Sequence, residues 1–176
     1  MTRTRRPIRA LLLTAAVLAL PGCQFSLSAG GLDYDKLETA ISDELNRTYE
    51  SVSQRVSSLD CPRNEPPPGK GDKLTCTAQV GDQQVRVEAT VTDDDYNVDF
   101  VTLDSLYDLA NTSAVLSDEL SAQLGFPVTV TCGEGLRAVA IGATLDCTAA
   151  DESGTERVVR VTAAPVGEDD SWELLE

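Results

Sequence analysis

Apolar residues recur along two segments at helical steps and along several others in alternation, and the two patterns occur twice in the same order. Leu37, Ile41, Leu45, Thr48, Val52 and Val56 follow one another at steps of three and four, which traces one face of a helix. Asp33 or Asp35 can cap its start, and acids in its first turns suit the helix dipole. The period then changes. Leu74, Cys76 and Ala78 alternate with polar residues, as do Val85, Val87, Ala89 and Val91, and then Tyr96, Val98 and Phe100. Such alternation predicts half-buried strands, with turns at Gly81-Asp82 and Asp93-Asp94-Asp95.

The second pass has the same plan. Leu106, Ala110, Leu116, Leu120 and Leu124 predict a helix, with a break or kink expected at Asn111-Thr112-Ser113. Strands are expected at Val128 to Cys132, Ala143 to Ala149 and Arg157 to Ala163, with a last one at Trp172 to Leu175. The passes also match residue by residue. Gly71-Asp-Lys-Leu-Thr-Cys76-Thr-Ala78 aligns with Gly142-Ala-Thr-Leu-Asp-Cys147-Thr-Ala149 at an offset of 71, which Cys61 and Cys132 share. Ile41-Ser-Asp-Glu-Leu45 aligns with Leu116-Ser-Asp-Glu-Leu120 at an offset of 75. The predicted fold class is α+β: two tandem repeats, 33–101 and 102–176, each one helix on a three- to four-stranded antiparallel sheet. They join near Val101 to Asp104 with almost no linker, so they are expected to pack together.

The start of the chain does not fit this plan. Arg3, Arg5, Arg6 and Arg9 precede a small-apolar run from Ala10 to Leu20, which is the build of a secretory signal peptide and too short for a membrane span. Leu20-Pro21-Gly22-Cys23 resembles the lipobox of bacterial lipoproteins, with Pro as an uncommon second residue. That resemblance implies cleavage after residue 22, lipid (palmitate among its acyl chains) on Cys23, and a lipidated tether over 23–32. Losing residues 1–22, which hold four Arg and no acid, takes the formal net charge from −15 to −19. So acidic a surface repels nucleic acid and anionic headgroups and favours solubility, cations or a basic partner.

Beyond Cys23 four cysteines remain, two in each repeat. In an exported protein an even remainder implies disulfides, and four cysteines allow three connectivities. Repeat symmetry favours one internal disulfide per repeat, Cys61–Cys76 and Cys132–Cys147. Each would close a loop worth roughly 3 kcal/mol in the chain-entropy model. Redox pairs usually show Cys-x-x-Cys, which the chain lacks.

Candidate chemistry is sparse. The chain has no His, which removes the common general base and every His-activated nucleophile. No catalytic residue, metal ligand or cofactor site is predicted. Asp93, Asp95, Asn97, Asp99 and Asp104 do fall on positions 1, 3, 5, 7 and 12 of a calcium loop. Val98 stands where that loop needs Gly, and Asp104 replaces its bidentate Glu, so an acidic hairpin turn is favoured.

The paired cysteines, the Gly-x-x-Leu-x-Cys-Thr-Ala signature and the helix-then-meander order resemble domain of unknown function 4333, a family of small domains in actinobacterial envelope proteins. The resemblance covers about residues 33–101 and 104–175. It implies a lipoprotein or membrane-anchored module and no activity. The first repeat departs from the family in its Pro-rich inter-cysteine loop, the second in its shorter helix-to-strand link. Tandem helix-plus-meander units, each with one disulfide, also look like secreted β-lactamase inhibitory proteins, though no binding residue carries over. The expected function is therefore a non-enzymatic lipoprotein at the outer face of the cell membrane, acting as a binding or interaction module. The alternatives are an inhibitor or modulator of an exported enzyme and, more distantly, a carboxylate-dependent hydrolase. The expected partners are the membrane, through lipid on Cys23, and, if there is a further one, another envelope protein; nucleic acid is not expected.

Overall fold

Asp33 starts the first helix: its carboxylate accepts the Lys36 N–H at 3.2 Å, and α1 (Tyr34–Tyr49) follows. The computed structural model describes residues 31–175, so the expected signal peptide, Cys23 and the tether up to residue 30 lie outside the described residues. α1 buries Leu37, Ala40, Ile41, Leu45 and Tyr49 on the face that the spacing predicts. It is shorter than expected. Val52 lies in a 3-10 turn (Glu50–Val52), Ser53 turns the chain at φ +55°, and Val56 opens β1 (Val56–Asp60). The helical spacing runs on because Val52 and Val56 still pack on the same core from non-helical backbone.

β1 is the edge of a four-stranded antiparallel sheet completed by β2 (Lys73–Val80), β3 (Gln83–Val91) and β4 (Val98–Thr102), in that order. Leu74, Cys76, Ala78 and Val80 on β2 and Val85, Val87, Ala89 and Val91 on β3 all point into the core, the alternation expected of them. Tyr96 was expected on the last strand but lies in the turn before it, at φ +58°. The Asp93 carboxylate sets that turn by accepting the Asp95 and Asn97 N–H groups, both at 3.0 Å.

The chain continues through β5 (Asp104–Asp108), α2 (Leu109–Leu124), β6 (Val128–Thr131), β7 (Leu136–Ala140), β8 (Thr144–Asp151), β9 (Glu156–Thr162) and β10 (Ser171–Leu174). The second four-stranded sheet has the order β6-β8-β9-β10 and packs with α2 on a second core. Two expectations fail here. Leu106 is not helical but lies on β5, and Asn111-Thr112-Ser113 does not break α2, which runs continuously from Leu109 to Leu124. Asp108 caps α2 by accepting the Ala110 and Asn111 N–H groups, and the Thr112 and Ser113 hydroxyls donate back to the carbonyls four residues earlier.

Both units tie the helix to the edge strand in the same way. Ser113, Ser117 and Ser121 stand four apart on one face of α2, and their hydroxyls accept the Cys132, Val130 and Val128 N–H groups at 2.8–2.9 Å. On α1 the Glu38 carboxylate accepts the Cys61 N–H at 3.1 Å, and the Asn46 amide oxygen accepts the Val56 N–H at 2.9 Å. Glu38 and Asn46 precede Ser113 and Ser121 by 75 residues, the offset that separates Ile41 from Leu116. Unpaired N–H groups on an edge strand invite foreign strands, and here helix side chains satisfy them. Ser117→Ala leaves the Val130 N–H without its acceptor. It is expected to cost about 1–2 kcal/mol in urea unfolding and to speed amide exchange at Val130.

β5 and β7, which the sequence did not announce, pair as a separate two-stranded ribbon. Leu106 and Ala138, opposite each other, pack on the first core, while Tyr107 and Val139 belong to the second. The ribbon thus lies between the two units and joins them. Asp104 on β5 reaches back to Arg86 on β3, and the Gln83 side chain accepts the Ala138 N–H at 3.1 Å. Gly81, at φ +59°, turns β2 into β3 under Leu136, where a β-carbon would lie 2.9 Å from the Leu136 methyl.

Candidate functional site

Three elements of the second unit converge beside the ribbon: the last residues of β5, the outer face of α2, and the segment leading into β10. Between them is a groove of about 610 Å³. Tyr107, Asp108, Val115, Glu119, Asp169, Asp170 and Trp172 line it, and Val52 of the first unit closes one side. Carboxylates dominate the charge, and among the described residues neither Lys nor Arg lines the groove. Several of the acids are held in place. Asp108 caps α2, Glu119 accepts the Trp172 indole N–H at 2.8 Å, and Asp170 accepts the Ala164 N–H at 2.8 Å. Tyr107 is only 8% exposed. Its hydroxyl has no partner in hydrogen-bond geometry, although Asp170 stands close enough to act on it. Burial first, and the Asp170 carboxylate second, push its ionisation above the ordinary tyrosine range.

Two smaller pockets are more apolar. One of about 300 Å³ lies between Leu120, Leu124, Phe126, Val128, Ala149 and Leu174, with Arg157 and Asp151 beside it. The other, about 220 Å³, lies where Leu45 and Phe100 meet Pro165 and Val166.

The cysteines are where symmetry put them. Cys61 follows β1 and Cys76 lies opposite on β2, bonded to it; Cys132 follows β6 and is bonded to Cys147 on β8. Each disulfide fastens an edge strand to its neighbour. Cys23, the expected lipid acceptor, lies outside the described residues. The five positions with calcium-loop spacing are not brought together. Asp93 turns its carboxylate onto Asp95 and Asn97 within the turn, and its pKa falls below the usual range mainly through Asn97. Asp104 lies across β3 in an ion pair with Arg86. Asn97 Oδ1 and Asp99 Oδ1 lack hydrogen-bond partners. Among the described residues no three Asp, Glu or Cys side chains converge as a metal site would require.

The sequence reading missed the groove. Its only advance signs were the single tryptophan, Trp172, and the acids at 168–170 in the last turn. Residues 52, 107, 119 and 172 share no motif, and only the folded chain gathers them.

Among the described residues no helix is long and apolar enough to cross a membrane. No curated protein and no solved structure matches the chain. The family description "Domain of unknown function (DUF4333)" matches residues 14–95, from before α1 to the turn ahead of β4, and includes the Cys61–Cys76 pair. The match takes in most of the first helix-and-sheet unit, which is thus similar to that family's domain.

Proposed function

We propose that this chain is an exported lipoprotein, held at the outer face of the cell membrane by lipid on Cys23, and that it serves as a non-enzymatic binding module. Its two units are tandem copies of the same family domain. The shared 15-residue cysteine spacing and the matching helix-to-edge-strand hydrogen bonds support that duplication. Two disulfides, one in each unit, fit an oxidising compartment. One observation carries the binding reading: the groove of about 610 Å³ at the unit junction has walls from both units. Its size lies within the range of about 300–1,000 Å³ usual for ligand sites.

The test is crosslinking in intact cells, followed by purification through a C-terminal tag and mass spectrometry. The expected result is one reproducible envelope partner; if that partner is an exported enzyme, the role is modulation of its activity. Recovery of no protein above background would overturn the protein-binding role. Palmitate labelling checks the anchor separately: the label is expected on the native chain and lost in Cys23→Ala.

A further inference from the structure

Resting on the binding-module reading, we propose that the junction groove receives a basic side chain, lysine or arginine, from a segment of a protein partner. The charge sets the class of ligand. Asp108, Glu119, Asp169 and Asp170 line the groove, and no Lys or Arg among the described residues lines it beside them. Carboxylates in a concave site focus an attractive potential for cations. They are also fixed before any ligand arrives. Glu119 and Asp170 already accept hydrogen bonds from Trp172 and Ala164, and each oxygen pair retains lone pairs for a further donor. Such preorganisation lowers the entropic cost of binding.

Trp172, Val115 and Tyr107 decide which cation. A bare divalent ion needs several oxygens around one point, and among the described residues no three acids converge in that way. The acids are instead spread beside an indole, which suits an ammonium or guanidinium on an aliphatic stem, apolar along its length and charged at its tip. Tyr107 lines the groove as a largely buried ring, 8% exposed, with its hydroxyl enclosed beside Asp170. The Asp170 carboxylate keeps lone pairs for an N–H of the incoming group. The groove volume exceeds that of one side chain, so it also admits the neighbouring backbone of an extended segment.

Trp172 is the only tryptophan of the chain, so its fluorescence reports on the groove alone. The full chain in neutral detergent is titrated with a short peptide carrying two arginines, and with the same peptide bearing citrulline in their place. Saturable change with the arginine peptide, weakened by added salt and absent with citrulline, is expected. Glu119→Gln with Asp169→Asn should weaken binding about tenfold with an unchanged melting temperature, since the amide oxygen of the introduced glutamine still accepts the indole N–H. Asp94→Asn with Glu156→Gln, which removes two charges far from the groove in sequence and outside its lining, should leave binding unchanged. No saturable change, equal weakening by both double variants, or displacement of the peptide by calcium alone at similar concentration would each overturn the proposal. The crosslinking experiment repeated with the groove variant separates the two ideas. A partner recovered undiminished keeps the binding-module role and removes the groove from it.

Discussion

Replacing Cys61 and Cys76 together with alanine is expected to lower the unfolding free energy by about 3 kcal/mol, the value for releasing a 15-residue loop in the chain-entropy model. That is a large share of the 5–15 kcal/mol roughly typical of a domain. The same change at Cys132 and Cys147 removes a loop of equal length, yet the two should differ. Cys61 and Cys76 are both fully buried, so losing their sulfurs also leaves a cavity in the first core, whereas Cys132 is partly exposed. The loops differ as well. Residues 62–72 hold no strand, so without the disulfide β1 relies on its pairing with β2, the Glu38 and Asn46 bonds, and the packing of Val56 and Leu59 on the core. The second loop contains β7, which β5 retains whatever the state of the disulfide. Urea unfolding should therefore rank the first pair as the costlier loss. Hydrogen exchange should speed more in β1 than in β6. Equal penalties for the two pairs, or one below about 1 kcal/mol for the first, would contradict this account.

The parts of the fold legible in the sequence are those where one residue faces one environment. β2 and β3 have a buried and an open face, so their alternation is plain. Cys61–Cys76 and Cys132–Cys147 could be paired because the two units share a spacing. β5 and β7 were hidden because the ribbon has a core on each side: Leu106 points one way and Tyr107 the other, which erases the period-two signal. Leu106 also stands four residues before Ala110, and so imitates an extra helical turn. Val52 and Val56 mislead for the related reason that spacing reports which core a side chain meets and not the backbone that carries it there. Ser113, Ser117 and Ser121 have helical spacing, but hydroxyls that satisfy a strand edge look no different in sequence from hydroxyls in water. The groove depends on residues more than a hundred positions apart, Val52 and Trp172 among them, and no local pattern encodes it.

Arg86→Ala is expected to cost about 2 kcal/mol at neutral pH, and more than Asp104→Asn. The pair is bidentate, Nε to Oδ2 at 2.9 Å and Nη2 to Oδ1 at 2.6 Å, and the Arg86 backbone N–H adds a third bond at 2.8 Å. The partners are unequally placed. Asp104 is 5% exposed, while the Arg86 side chain is 49% exposed. With Asp104 neutralised, the guanidinium turns to water at little cost. With Arg86 truncated, the carboxylate stays buried with one backbone donor, beside the ribbon that joins the units. The pH dependence separates the two cases. In the native chain the Arg86 hydrogen bonds hold the Asp104 carboxyl below the usual range, against burial, which raises it. A depressed folded pKa contributes stability that is complete above the unfolded value, about 3.9, and is lost as pH falls through the folded one. In Arg86→Ala burial dominates and the folded value rises above the unfolded one, so the sign reverses and protonation relieves the buried charge. The penalty measured by urea unfolding should thus shrink between about pH 7 and pH 4. A penalty constant across that range would mean that Arg86 acts through the packing of its stem and not through its charge. Replacing both partners by apolar residues of similar volume, Arg86→Met with Asp104→Leu, should recover most of the loss, because no charge then remains to be buried between the two units.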